Sequence, residues 1–179
     1  RALEPRLRPL EPGRLIRSLL SLYRQRCVDR HIELTLVDRG EAAIAADPDL
    51  LAELLENLLK NSIEAQPDGG FVRIEYSATP SGMELTIVNG GCTLPPEDIA
   101  RLGEPYFTTK TRGTGLGLAI CRRIAEAHGG SLRIAVDRQL GQMTVSVTLP
   151  SRADHLATDS KDDRRKKQEE TTHAHSDRR

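Results

Sequence analysis

The stretch Asn57-Leu58-Leu59-Lys60-Asn61-Ser62-Ile63-Glu64-Ala65 decides how this chain is read. A helix advances 100° per residue, so positions i and i+4 share a face. Glu53, Asn57 and Asn61 therefore fall on one side, with Lys60 and Glu64 beside them. Leu51, Leu54, Leu55, Leu58, Ser62 and Ala65 fall on the other, suited to packing on a sheet. A solvated polar face would explain the pattern if the polar residues were Glu or Lys. Asn is a mediocre helix former because its side chain competes for backbone hydrogen bonds. Two Asn one turn apart carry that cost for a reason, and neutral amide oxygens suit a hydrated Mg²⁺ that takes its other ligands from phosphates.

Working outward, Asp47-Pro48-Asp49 is a helix start, with an acidic cap and Pro at the first helical position. Pro67-Asp68-Gly69-Gly70 is the stop. Residues 71–78 and 83–88 are expected strands, joined as a hairpin by Thr79-Pro80-Ser81-Gly82. Residues 89–114 are dense in Gly, Pro and Thr, with a short helix expected at 96–102, and have the length of a functional lid. A helix follows at 115–128, ended by Gly129-Gly130, and strands at 131–136 and 143–149 close the sheet. Upstream, Ile16, Leu19, Leu20, Tyr23 and Cys27 recur at helical spacing, and strands are expected at 32–37 and 43–46.

Within the lid, Phe107-Thr108-Thr109-Lys110 runs into Gly113-Thr114-Gly115-Leu116-Gly117-Leu118. Glycines let backbone N–H groups approach phosphate oxygens, and a helix N-terminus adds partial positive charge. Lys110 supplies a point charge, and Thr108, Thr109 and Thr114 supply hydroxyls. No Gly-Lys-Ser/Thr completes a Walker loop, and no strand leads directly into the glycines as a dinucleotide fingerprint requires. The amide helix and the glycine segment thus read as two sides of a phosphate and metal pocket.

These motifs, in this order over roughly residues 12–150, resemble the catalytic ATP-binding domain of bacterial sensor histidine kinases. That domain belongs to the wider ATPase family (Bergerat fold) shared with DNA gyrase B, Hsp90 and MutL. The wording of Asn61-Ser62-Ile63-Glu64-Ala65 and Glu104-Pro105-Tyr106-Phe107-Thr108-Thr109-Lys110 is similar to the nitrogen-regulation (NtrB/NtrY-like) type. The resemblance implies an α/β two-layer sandwich: a mixed sheet of about five strands with three helices on one face. It implies ATP and Mg²⁺ as ligands, with Asn61 on the metal and Asn57, Asn61 and Lys110 in catalytic roles. Nucleotide contacts carry over to Asn57, Lys60, Asn61, Asn89, Gly91, Leu94, Phe107, Thr108, Thr109, Lys110, Gly113, Thr114, Gly115, Leu116, Gly117 and Leu118.

Two positions depart from the family pattern. Asn89 stands where a carboxylate ordinarily accepts the adenine amino group, and a neutral acceptor makes a weaker bond than a charged one. Thr93 stands for a glycine and stiffens its turn. These departures keep open a weakly binding regulatory module of the same fold. A gyrase- or MutL-type ATPase is the third reading. It needs an acidic residue one turn before the metal amide, where this chain has Asn57.

No phosphoacceptor is found: none of His31, His128, His155, His173 or His175 precedes an acidic residue. His128 is expected to serve the helix C-terminus and the three later histidines to be solvated. The expected partners are therefore dimerisation and phosphoacceptor helices supplied from elsewhere in a homodimeric parent, and a response regulator.

The chain has 179 residues, enough for one domain with a core, and with aromatics at 3% that core must be aliphatic. Its 26 basic and 26 acidic residues balance, which argues against a nucleic-acid partner held by bulk charge. Three cysteines without a Cys-x-x-Cys pair suit a reducing cytoplasm, Cys92 being expected as an inert thiol on the lid. No segment approaches the roughly 20 apolar residues of a membrane span, though anchoring of a parent in the inner membrane stays open. The start at Arg1-Ala2-Leu3 reads as a cut from a longer protein. Residues 1–12 are expected to be a linker, 13–150 the catalytic domain, and 151–179 a disordered polar tail.

Overall fold

Alternation in the hairpin strands sets the architecture. In β4 (Phe71–Thr79), Val72, Ile74, Tyr76 and Ala78 are buried; in β5 (Gly82–Asn89), Met83, Leu85, Ile87 and Asn89 are. The opposite face carries Arg73, Glu75 and Glu84, with Glu75 bridged to Arg73 at 2.6 Å and to Arg39 at 3.6 Å. A sheet with one wet face and one dry face needs a layer of helices on the dry one.

A computed structural model describes residues 3–40, 42–110 and 113–151. The element order is β1 (Arg8–Leu10), α1 (Pro12–Asp29), β2 (Glu33–Asp38), β3 (Ile44–Ala46), α2 (Pro48–Glu64), β4, β5, α3 (Pro96–Ala100), α4 (Gly117–Ala127), β6 (Ser131–Asp137) and β7 (Gln142–Pro150). The main sheet has five strands in the order β2-β4-β5-β7-β6. The β2–β4 pair is parallel and the rest are antiparallel, so the sheet is mixed as expected. The parallel pair requires a crossover, and α2 lies on it. Helices α1, α2 and α4 form the second layer: α1 and α4 each contact α2, and all three contact the sheet.

Residues 1–12, read as linker, contain a strand. β1 pairs antiparallel with β3 in a separate two-stranded sheet, Arg8 opposite Ala46 and Leu10 opposite Ile44. Three residues are too few for alternation to show, and a strand with only one partner tolerates Pro9. The helix that follows begins at Pro12. The lid helix is shorter than expected, running over Pro96–Ala100, and α4 starts at Gly117 rather than at 115. From residue 152 on, the tail read as disordered lies outside the described residues, as do the histidines it holds.

α2 is the centre of the core. Its buried arc takes in Leu51, Leu54, Leu55, Leu58 and Ser62 as expected. Leu59 and Ile63 are buried too, because α1 and α4 flank the helix; Ala65 is only half-buried. Asp47 caps α2, its Oδ1 accepting from Asp49 N at 3.0 Å and Leu50 N at 3.1 Å, which stabilises by about 1 kcal/mol. Burial raises the Asp47 pKa, but amide hydrogen bonds from Arg6, Leu50 and Asp49 outweigh it and hold the carboxyl below its ordinary range.

His128 does more than end α4. It is buried, its Nδ1 pairs with Ile124 O at 2.8 Å, and its Nε2 accepts from Asp47 N at 3.0 Å. The proton therefore sits on Nδ1, and the ring ties the C-terminus of α4 to the N-terminus of α2. This clamp holds the two site helices at a fixed separation.

Candidate nucleotide site

The two sequence motifs meet through a glycine. A Cβ built at Gly117 would lie 3.0 Å from Asn61 Nδ2 and 3.4 Å from Asn57 Oδ1. The first turn of α4 thus rests against the amide face of α2, and a side chain at 117 would press on both amides. Gly115 is required for a different reason: its φ is +68°, and a Cβ there would lie 2.4 Å from the Tyr106 carbonyl carbon. Its own carbonyl accepts from Tyr106 N at 3.1 Å, which joins the start of α4 to the residue before Phe107.

Between α2, the end of β5 and the lid lies a cavity of about 460 Å³. Every residue to which the resemblance assigned a nucleotide contact lines it, except Leu116, the N-cap of α4. At one end are Asn57, Lys60 and Asn61 with Lys110 of the lid above them. Asn57 Nδ2 donates to Glu53 O at 3.0 Å, which leaves its Oδ1 toward Gly117. Lys110 Nζ lies 3.0 Å from Glu64 Oε2 and 3.4 Å from Asn61 Oδ1. Thr108 Oγ1 accepts from Lys110 N at 3.1 Å and shapes the turn that carries the lysine.

At the other end is Asn89. The strand period puts it on the dry face at the last residue of β5, where it is 1% exposed. Its Nδ2 donates to Gly90 O at 3.1 Å, which leaves Oδ1 as the amide's acceptor. Oδ1 is buried and has no hydrogen-bond partner. A buried acceptor left unpaired is costly, on the order of 1–3 kcal/mol, and marks a place where a ligand donor fits. Gly91, Leu94 and Thr93 continue this end, with Gly91 at φ +72° against Pro67.

The donor set fits the expected ligands. An unpaired acceptor suits a base bearing an amino group, and amides, an ammonium and a helix start suit phosphates. Among the described residues no cluster of three or more His, Cys, Asp or Glu could hold a metal alone. One neutral oxygen, from Asn61, suits Mg²⁺ shared with phosphates. A second, open depression of about 560 Å³ lies at the Thr79–Gly82 turn. Glu84 is the one charged side chain in its lining, and no basic side chain lines it.

Residues 46–153 match the family described as "Histidine kinase-, DNA gyrase B-, and HSP90-like ATPase". The chain belongs to this family. It is 36% identical over 123 residues to sporulation kinase C of Bacillus subtilis (strain 168), which covers 69% of this chain and 28% of that kinase. It is 33% identical over 145 residues to the sensor histidine kinase ZraS of Escherichia coli (strain K12), covering 80% of this chain and 31% of ZraS. The chain thus spans less than a third of either kinase. The fold is that of solved histidine kinase catalytic domains. That of ThkA matches with a TM-score of 0.72 at 28% identity, over 81% of this chain and 95% of that one. Full-length ShkA in complex with AMPPNP matches with a TM-score of 0.72 at 27% identity, over 84% of this chain and 32% of ShkA.

In this histidine kinase-like ATPase domain, three residues at or behind the cavity wall have roles that the sequence did not reveal. Gln66, just past α2, is buried; its Nε2 donates to Gly90 O at 2.8 Å and to Ser62 O at 3.3 Å, and its Oε1 accepts from Phe71 N at 3.1 Å. It pins the Asn89–Gly90 turn to the amide helix. A polar residue directly before Pro67-Asp68-Gly69-Gly70 was the only signal. Arg101 stacks on the Phe107 ring, 4.2 Å from its centroid, and holds that ring at the cavity wall. Glu64, read as lying beside the polar face, is the partner of Lys110. Of the thiols, Cys27 and Cys121 are buried, and burial pushes Cys121 up to about 12; Cys92 is half-buried on the cavity wall. No helix among the described residues is long and apolar enough to cross a membrane.

Proposed function

We propose that this chain is the ATP-binding catalytic domain of a sensor histidine kinase. It binds Mg-ATP and passes the γ-phosphoryl group to a His nitrogen on a separate helical domain, from which a response-regulator Asp takes it. The observation that carries the reading is one cavity with an unpaired buried acceptor, Asn89 Oδ1, at one end and Asn61 with Lys110 at the other. Asn89 would accept from the adenine amino group. Asn61 would give Mg²⁺ one oxygen, and the ion when bound neutralises phosphate charge. Lys110 and the amides at the start of α4 would hold the phosphates from the lid side. Phosphoryl transfer depends on such positioning and charge stabilisation more than on covalent help from the protein.

Water activation of the gyrase or MutL kind is poorly served. One turn before Asn61 stands Asn57, and a neutral amide takes no proton from water. The weakly binding regulatory module draws support from Asn89 and Thr93, and the same titration that measures Mg-ATP affinity separates it from a kinase. We place the domain in the cytoplasm, where ATP is, in a parent that dimerises through its acceptor helices. The Glu104–Lys110 wording favours the nitrogen-regulation type within the kinases.

The test is labelling with γ-labelled ATP. The chain alone should take up no acid-labile phosphate. With the phosphoacceptor helices added, phosphohistidine should form on those helices, and strong labelling of the chain alone would overturn the division of labour.

Asn89→Asp gives a second measurement. A charged acceptor should tighten ATP about fivefold to tenfold. The empty protein should melt at a lower temperature, because the carboxylate loses the donor to Gly90 O and lies buried without a partner. Unchanged or weaker ATP affinity would mean that Asn89 does not meet the base.

A further inference from the structure

We infer that Glu64 is the counter-ion of a lysine latch, holding Lys110 on the amide oxygen that the metal would use, so that Mg-ATP must displace the lysine to bind. The inference rests on the nucleotide reading above. Asn61 and Glu64 stand three residues apart on α2 and converge on one ammonium, at 3.4 Å and 3.0 Å. An ammonium at that distance excludes a dication from the same oxygen, since the two like charges would share one acceptor. Asn61 Oδ1 therefore has two competing occupants, Lys110 and the metal. A neutral amide alone is a weak anchor for a lid lysine; the Glu64 carboxylate is what makes the contact charge-assisted.

The contact is built to be broken. Glu64 and Lys110 side chains are 28% and 38% exposed, so water and salt screen the pair. A triphosphate carries several charges to the one on Glu64 and can take the ammonium over. Lys110 then moves from the metal's oxygen to the phosphates, and the metal gains its ligand in the same exchange. Glu64 thereby taxes ligands that need both Asn61 and Lys110, and leaves a bare nucleoside unaffected.

The experiment is calorimetric titration of Mg-ATP into the unmodified chain, Glu64→Gln, Lys110→Met and the double variant, with adenosine as a second ligand. Glu64→Gln should tighten Mg-ATP about twofold to fivefold, the scale of an exposed ion pair. That gain should vanish in the Lys110→Met background, and adenosine affinity should not change. The same gain in both backgrounds would mean plain repulsion between Glu64 and phosphate and would overturn the latch, as would no gain at all. An unmodified chain that binds no Mg-ATP would overturn the proposed function itself, and this inference with it.

Discussion

Asn61→Ala is expected to cost about 100-fold in Mg-ATP affinity, near 2.7 kcal/mol, while leaving the fold intact. The side chain is half-exposed and its one described hydrogen bond is the 3.4 Å contact from Lys110, so little native packing is lost. Ala is also the better helix former, which keeps α2 at full strength. The loss should therefore fall on binding, with the melting temperature nearly unmoved. Magnesium supplies the decisive control. ATP affinity of the unmodified chain should drop when Mg²⁺ is chelated, and that of the variant should not. Equal Mg-ATP affinity in the two proteins would remove Asn61 from the metal's coordination.

Gly117→Val should be nearly as damaging, for a reason that involves no functional group. A Cβ at 117 already meets Asn61 Nδ2 at 3.0 Å, and valine adds two methyl groups beyond it. The backbone there accommodates a side chain, since its φ is not in the left-handed region. The strain must go into the amide pair or into the first turn of α4. Overpacking of this kind costs about 1–3 kcal/mol. Because the displaced groups are those that face the cavity, we expect at least a tenfold loss of Mg-ATP affinity with a folded protein. Gly117→Ala should fall between, since a 3.0 Å contact yields with a shift of a few tenths of an ångström. Titration and thermal melting of the pair check this; a Val variant that binds as well as the unmodified chain would show that α4 can retreat without cost.

Asn61→Ala and Gly117→Val probe different kinds of information. Asn61 was legible in the sequence because an amide repeated at i and i+4 is out of place on a solvated helix. The helix itself was legible at both ends, from Asp47-Pro48 and from the Pro-Gly run after Ala65. The period-2 pattern of β4 and β5 predicted a one-faced sheet, and so a helical layer. Asn89 was legible as a departure from a motif. Its burial, and the fixed orientation that leaves Oδ1 unpaired, were not.

The sequence by itself determined the elements of the main sheet and its helical layer, the order of the motifs and the chemistry of each, because helix periodicity, strand alternation, capping and glycine turns are all local properties. Only the tertiary structure decided which groups meet. Lys110 and Glu64 are 46 residues apart in the chain, His128 and Asp47 are 81, and Gln66 and Gly90 are 24. A pairing at such distances leaves no periodic trace, since one residue of each pair looks like any surface lysine, helix-end histidine or loop glutamine. The strand at Arg8–Leu10 was hidden for the same reason: three residues set no pattern, and only Ile44–Ala46 folded beside them makes them a sheet. The lid lysine resting on the Asn61 amide is the clearest case, because lysine and amide lie 49 residues apart in the chain.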